Sequence, residues 1–360
     1  MISGGGTGGH IYPAIAIAKA FEEAFPNAEI LFVGAKGRME MQKVPEVGYQ
    51  IEGLNISGIQ RKLSLKNLSF PFKLIGSLIK AEHLISKFKP DVVVGVGGYA
   101  SGPLLYRASR RKIPTLIQEQ NSYAGLTNKL LAPKVNKICV AYENMDQFFP
   151  EEKLVLTGNP VRIDILKVSS LRNESIRHFN LDPQKQTVLV VGGSLGARTL
   201  NESIFRHLDA IQQNNIQLLW QIGKIYINEF TERLTGKSLP NIRTFEFLKE
   251  MDLAYAAADV VISRAGALSI SEISLAGKAA IFVPSPNVAE DHQTKNAAAL
   301  VKNNAAKMIT DKQARKELVP FCIDLLKDEK TREEMQQNIK KMAKEHATDN
   351  ILQEIKKLLN

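Results

Sequence analysis

Thr187-Val188-Leu189-Val190-Val191-Gly192-Gly193-Ser194-Leu195-Gly196-Ala197 decides the fold of this chain: five β-type residues without polar alternation run directly into a glycine turn. A strand this apolar is buried on both faces, as in a parallel sheet covered by helices. The turn after it crowds backbone N–H groups together at the start of a helical pattern, where an anion is favoured. The same order recurs at Gly4-Gly5-Gly6-Thr7-Gly8-Gly9-His10 and at Gly95-Val96-Gly97-Gly98-Tyr99. Three phosphate-type turns spread over two halves of one chain point to a large phosphorylated ligand gripped between two α/β domains.

Working outward, residues 29–33 and 91–96 read as buried strands, 115–118 and 137–140 as weaker ones, with helical spacing between them as at 12–25. The pattern breaks at Gly158-Asn159-Pro160 and restarts with 187–191, 217–222, 241–245, 259–263 and 280–283, which predicts a second parallel sheet. Beyond Lys312 the chain reads as helical and charged. The expected division is 1–160, 161–338, and a helical tail 339–360 that packs back on the first domain. A turn such as Gly4–Gly9 normally follows a strand of about five apolar residues, yet only Met1, Ile2 and Ser3 precede it. Either the first strand is very short or the reading frame begins late, and the shortness is expected to weaken the sheet centre and loosen His10.

The 360 residues carry a formal net charge of +10 and two cysteines, Cys139 and Cys322, too far apart and too isolated for a disulfide framework or a zinc site. No apolar run of roughly 18 residues and no leader pattern is present, so the chain is expected in the cytoplasm. Between Arg61 and Lys89 stand seven basic residues (Arg61, Lys62, Lys66, Lys73, Lys80, Lys87, Lys89) against Glu82, interleaved with leucine, isoleucine and phenylalanine. A duplex reader wants polar base-reading side chains beside its cations, so this mixture favours an anionic membrane surface over nucleic acid. An amphipathic helix with a solvated lysine face has the same periodicity.

Gly4, Gly6 and Gly9 satisfy GxGxxG, which opens the possibility of a nicotinamide or flavin enzyme. The second strand, however, ends in Gly34-Ala35-Lys36-Gly37, without the carboxylate that would hold the cofactor ribose. His10, at the end of the first glycine turn, is placed to take a proton from a substrate hydroxyl. Ser194 and the N–H groups around it suit a diphosphate. Ser263-Arg264-Ala265-Gly266-Ala267-Leu268-Ser269-Ile270-Ser271-Glu272 repeats the strand, turn and helix order, and puts Glu272 about one and a half turns into the helix, where a carboxylate can accept from two ribose hydroxyls.

Together with Glu119-Gln120-Asn121 and Gly158-Asn159-Pro160-Val161-Arg162, these motifs occur in the order seen in the MurG family, which the chain resembles from Ile2 to about Ile309. That resemblance implies an α/β fold of two Rossmann-like domains whose parallel sheets face across a cleft, the glycosyltransferase B arrangement. It implies a UDP-N-acetylglucosamine-dependent hexosyltransferase acting, at the cytoplasmic face of the membrane, on undecaprenyl-diphosphate-linked muramoyl-pentapeptide. By resemblance, Thr7, Gly8, Gly9 and Asn121 lie on the first-domain side of the donor, and Arg162 and Ser194 meet its diphosphate. The helix start Ala267, Leu268, Ser269, Ile270 and Ser271 lines the donor, Glu272 its ribose, the Leu248 backbone its uracil and Gln293 its sugar hydroxyls. The family's Gln-Gln pair stands here as His292-Gln293. His10 is the candidate base, with Glu119 as the second choice. No DxD motif is present, so no metal or other cofactor is expected, and helix N-termini with Arg162 would supply the positive potential. A UDP-N-acetylglucosamine 2-epimerase, another nucleotide-sugar transferase and a non-catalytic nucleotide-sugar binder are the rival expectations.

Overall fold

The computed structural model describes residues 1–58, 69–288 and 291–360. The chain forms two compact units, Met1–Val161 joined by His346–Asn360, and Arg162–Glu345. In the first, strands β1 (Ile2–Ser3), β2 (Leu31–Ala35), β3 (Gln50–Leu54), β4 (Val93–Gly95), β5 (Thr115–Glu119), β6 (Lys137–Val140) and β7 (Leu154–Leu156) form one sheet in the order β3-β2-β1-β4-β5-β6-β7. In the second, β8 (Thr187–Val191), β9 (Gln217–Gln221), β10 (Ile242–Phe245), β11 (Val260–Ser263), β12 (Ala279–Phe282) and β13 (Lys307–Met308) run in the order β10-β9-β8-β11-β12-β13. Every pairing among the described residues is parallel.

The interior strands follow from composition. Val188, Leu189, Val190, Val260, Val261 and Ile262 are all buried, because helices cover both faces of the sheet. Strands β3, β7 and β13, which the periodicity does not reveal, lie at sheet edges, where half-exposed residues interrupt the apolar run. The central strand β1 is two residues long, as its sequence suggests, and pairs on both sides, Ile2 with Phe32 and Val94, Ser3 with Val33 and Gly95. Ser101 secures this centre: its hydroxyl donates within reach of the Ser3 carbonyl (3.1 Å) and the Gly97 carbonyl (2.8 Å).

The tail divides later than residue 339. Helix Glu329–Lys341 belongs to the second unit, with Met335 and Ile339 buried there, and helix Ala347–Leu359 returns to the first unit. There Ile351 and Ile355 join Ile11, Ile15 and Ala18 of helix Gly8–Ala24 in one apolar layer. Cys139 and Cys322 are buried, and burial pushes both thiols up to about 12.

Helix Ala267–Ala276 stops at Gly277, whose φ of 62° is a left-handed terminus that glycine adopts without strain. Directly after it, the Lys278 ammonium donates to the carbonyls of Ala258 (2.9 Å) and Ala256 (3.4 Å), at the end of helix Met251–Ala257. Burial, assisted by Arg172 and opposed by Asp259, lowers the Lys278 pKa from 10.5 to about 8. Between those values the unfolded chain binds the extra proton, so this group makes the fold more stable as pH rises from about 8 towards 10.5. Denaturant titrations from pH 7.5 to 10 should therefore show Lys278→Met losing a pH-dependent increment of about 2 kcal/mol. A constant gap between wild type and variant over that range would contradict the assignment.

Candidate active site

In a doubly wound sheet, ligands bind beyond the carboxyl ends of the two strands at which the strand order reverses, because the connections on either side diverge there. The reversal falls between β1 and β4 in the first unit and between β8 and β11 in the second. Ser3 pairs with Gly95, and Val191 with Ser263, so the glycine turns that follow these strands lie side by side in each unit. The sequence motifs thus converge on two switch points.

At the first, the turns after β1 and β4 are in backbone contact. A Cβ on Gly98, whose φ is 88°, would stand 2.6 Å from the Gly5 carbonyl oxygen, and one on Gly97 would stand 2.7 Å from Cδ2 of His10. Only glycine allows this approach. The His10 Nδ1 lies 2.9 Å from the Gly5 carbonyl oxygen. A carbonyl only accepts, so the neutral ring carries its proton on Nδ1 and Nε2 is the basic nitrogen. The short β1 does not leave this side chain loose; the Gly5 carbonyl and the Gly97 backbone fix it. Thr7, in extended conformation, precedes helix Gly8–Ala24, which has no acidic residue in its first turn and no side-chain cap. Gly8 and Gly9 open that helix beside His10.

Beneath the same turn lies Glu40, fully buried. Its Oε2 accepts from the Gly6 N–H (2.8 Å) and its Oε1 from the Ala35 N–H (3.0 Å). The second strand therefore does have a nearby carboxylate, but it is spent on the backbone and closed to a cofactor ribose.

Glu119, at the end of β5, is buried, and both its oxygens are engaged. Oε1 accepts from the backbone N–H (3.1 Å) and Nδ2 (3.2 Å) of Asn121, Oε2 from the Gly125 N–H (2.9 Å) and Asn128 Nδ2 (2.8 Å). The geometry of Glu119 is that of a brace that holds Asn121. Gln118 Nε2 donates to Asn159 Oδ1 (3.0 Å) and Asn159 Nδ2 to the Gln120 carbonyl (3.1 Å), which ties this loop to the Asn159-Pro160 break.

At the second switch point, helix Ala267–Ala276 begins at Gly266 with no side-chain cap and no acidic residue in its first turn. Its first N–H groups, from Ala267, Leu268 and Ser269, lie at the positive end of the helix dipole, an arrangement that favours an anion. Ile270 is buried behind them, and the Ser271 hydroxyl bonds back to the Ala267 carbonyl (3.0 Å). Glu272 Oε2 accepts from the hydroxyl of Tyr255 (3.1 Å). Burial and the Glu272 charge raise the Tyr255 pKa far above its usual value, so the phenol stays a donor. Tyr255 reads in the sequence only as a core aromatic.

Arg162, expected at the diphosphate, has its Nη2 and Nε 3.3 and 3.4 Å from Oε1 of Glu272, the carboxylate expected to hold ribose. The pair is single-oxygen and Arg162 is 42% exposed, which makes it weak and easily exchanged for a more charged partner.

The turn at Ser194 is held by a residue pair that sequence reading passed over. Gly196 and Gly223, with φ of 86° and 91°, pack backbone on backbone, and a Cβ on Gly196 would stand 2.2 Å from the Ile222 carbonyl oxygen. Gln221, buried at the end of β9, donates to the Gly193 carbonyl (3.0 Å) and accepts from the Leu248 N–H (2.9 Å). A glycine directly after a predicted strand, Gly223, was the available signal. Gln293 Oε1 accepts from the Ser285 N–H (2.8 Å), which orients its amide nitrogen as the donor.

Both halves of the chain match family models: residues 1–140 the glycosyltransferase family 28 N-terminal domain, and residues 187–351 its C-terminal domain. The chain is 54% identical over 359 residues to the UDP-N-acetylglucosamine–N-acetylmuramyl-(pentapeptide) pyrophosphoryl-undecaprenol N-acetylglucosamine transferase of Flavobacterium psychrophilum, covering 100% of this chain and 97% of the relative. Against the transferase of the same name from Cytophaga hutchinsonii it is 55% identical, with 100% and 96% covered. Among solved structures, Acinetobacter baumannii MurG matches with a TM-score of 0.77 and 32% identity over 99% of this chain and 98% of that one. A Neisseria meningitidis UDP-GlcNAc 2-epimerase matches at TM-score 0.64 and 16% identity over 99% and 98%, a likeness of fold alone.

Proposed function

The chain belongs to glycosyltransferase family 28, and from that premise we propose that it transfers N-acetylglucosamine from UDP-N-acetylglucosamine to the C4 hydroxyl of undecaprenyl-diphosphate-linked N-acetylmuramoyl-pentapeptide, with inversion. The observation that carries the reading is the second switch point: an uncapped helix N-terminus with a carboxylate, aimed by a buried phenol, one and a half turns further on. Diphosphate lies against the N–H groups of Ala267–Ser269 and the Ser194 turn, ribose against Glu272, uracil against the Leu248 carbonyl, and the sugar hydroxyls against Gln293. Arg162 exchanges Glu272 for the diphosphate when donor binds.

On the first unit, Nε2 of His10 takes the proton of the acceptor hydroxyl as its oxygen bonds to the anomeric carbon. The bond from that carbon to the diphosphate oxygen breaks, and UDP leaves with the charge, stabilised by helix N-termini and Arg162. Glu119 holds Asn121 in place. Purified protein with labelled UDP-N-acetylglucosamine should give labelled lipid only when lipid acceptor is present, and should continue to do so in excess EDTA. Label appearing in a 2-epimer without acceptor would favour the epimerase, and hydrolysis or no conversion would defeat the transferase reading.

A lipid-linked acceptor requires a membrane surface. Helix Phe70–Phe88 buries Ser77, Ala81, Leu84 and Ile85, while Phe72, Ile75 and Ile79 on the opposite stripe are 79%, 57% and 62% exposed. A core-facing amphipathic helix would hide these three, so their exposure favours docking on the anionic cytoplasmic leaflet as a peripheral protein. Arg61, Lys62, Leu63, Leu65, Lys66 and Leu68 lie outside the described residues, and Lys80 is paired with Glu52 at 2.7 Å. No helix among the described residues is long and apolar enough to cross a membrane. Sedimentation with phosphatidylglycerol vesicles should show at least a tenfold loss for the Phe72→Ser, Ile75→Ser, Ile79→Ser variant. Equal binding would make the patch a solvated face.

A further inference from the structure

The buried carboxylate of Glu40 and the imidazole of His10 bind opposite ends of one peptide group. Glu40 Oε2 accepts from the N–H of Gly6 at 2.8 Å, and the carbonyl of Gly5, in the same amide plane, faces His10 Nδ1 at 2.9 Å. We propose that Glu40 is a positioning residue for catalysis: it acts on His10 through the Gly5–Gly6 amide, as a carboxylate hydrogen-bonded directly to a catalytic histidine does at other sites. The inference rests on His10 being the base.

Hydrogen bonds in a chain polarise one another. An anion on the amide N–H shifts electron density towards the carbonyl oxygen, which becomes a stronger acceptor for Nδ1–H. That bond fixes the tautomer and ring plane and increases the basicity of Nε2. The proton from the acceptor hydroxyl goes to Nε2; Glu40 takes none. Two features set this carboxylate apart from a general structural brace. It is completely buried, and among the described residues no lysine or arginine pairs with it, so its charge acts on the two backbone N–H groups it binds. The amide it holds is also packed by Gly98, where a Cβ would stand 2.6 Å from the Gly5 carbonyl oxygen and 3.2 Å from its carbon, so the plane has little room to rotate.

The test is nitrogen-15 and proton NMR of labelled histidine in the full-length wild type and in Glu40→Gln, with turnover of wild type, Glu40→Gln, His10→Ala and the double variant. Wild-type His10 should show the Nδ1–H tautomer with its proton resonance far downfield. Glu40→Gln should move that resonance upfield and lower kcat about tenfold, with KM for UDP-N-acetylglucosamine unchanged. In the His10→Ala background the same substitution should cost nothing further. An Nε2–H tautomer in wild type would overturn the proposal without any variant, which covers the case of a Glu40→Gln chain that fails to fold. An unmoved resonance, or losses that multiply in the double variant, would overturn it as well. Normal turnover in His10→Ala with the resonance still responsive to Glu40 would instead sink the base assignment and leave the coupling intact.

Discussion

His10→Ala lowers kcat by 10²- to 10⁴-fold, the range expected for loss of a general base, while UDP affinity stays within about twofold of wild type. Both halves of this expectation follow from position. The imidazole is fixed by the Gly5 carbonyl and the Gly97 backbone in the first unit, and the groups assigned to the nucleotide belong to the second. A base that contacts only the acceptor hydroxyl contributes to the transition state and not to donor binding, so the loss falls on kcat. Steady-state kinetics beside calorimetric titration with UDP separates the two. Near-normal turnover would remove His10 from the chemistry, and Glu119, with four hydrogen bonds already on its oxygens, is no replacement.

The second large effect is on binding. Glu272→Ala should weaken UDP-N-acetylglucosamine binding by about 10² to 10³, since two charge-assisted hydrogen bonds to ribose are worth roughly 1.5–3 kcal/mol each before overlap. Alanine also strands the buried Tyr255 hydroxyl, which would destabilise the fold on its own account. Glu272→Gln keeps an acceptor for Tyr255 and loses the charge, so it separates ligand affinity from stability: its melting temperature should stay near wild type while donor affinity falls at least tenfold. Unchanged affinity in both variants would refute the ribose assignment.

The interior of both sheets was legible because strands buried on two faces must be continuously apolar, as at Val188–Val190 and Val260–Ile262. The edges were not. Gln50-Ile51-Glu52-Gly53-Leu54 carries polar residues and a glycine because one side of β3 has no partner strand among the described residues. The glycine turns were legible as turns, since positive φ and close backbone approach leave few alternatives to glycine. Their partners were not. Gly223 touches Gly196 across 27 positions of sequence, and Glu40 reaches the first turn from 34 positions away. Such contacts exist only once the strand order is known, and no local pattern encodes them. The pairing of Arg162 with Glu272 is likewise not written in a motif, which gives the charge of a side chain but not its partner in the fold.

The central claim is that the nucleotide sugar lies at the β8/β11 switch point, with helix N-termini and an arginine in place of a metal. A co-crystal structure with UDP-N-acetylglucosamine, grown in EDTA, tests it most directly. The account predicts ribose oxygens within hydrogen-bond distance of Glu272 and diphosphate oxygens on the N–H groups of Ala267–Ser269. Nucleotide density on the first unit, or a donor that binds only when a divalent cation bridges its phosphates to the protein, would contradict it.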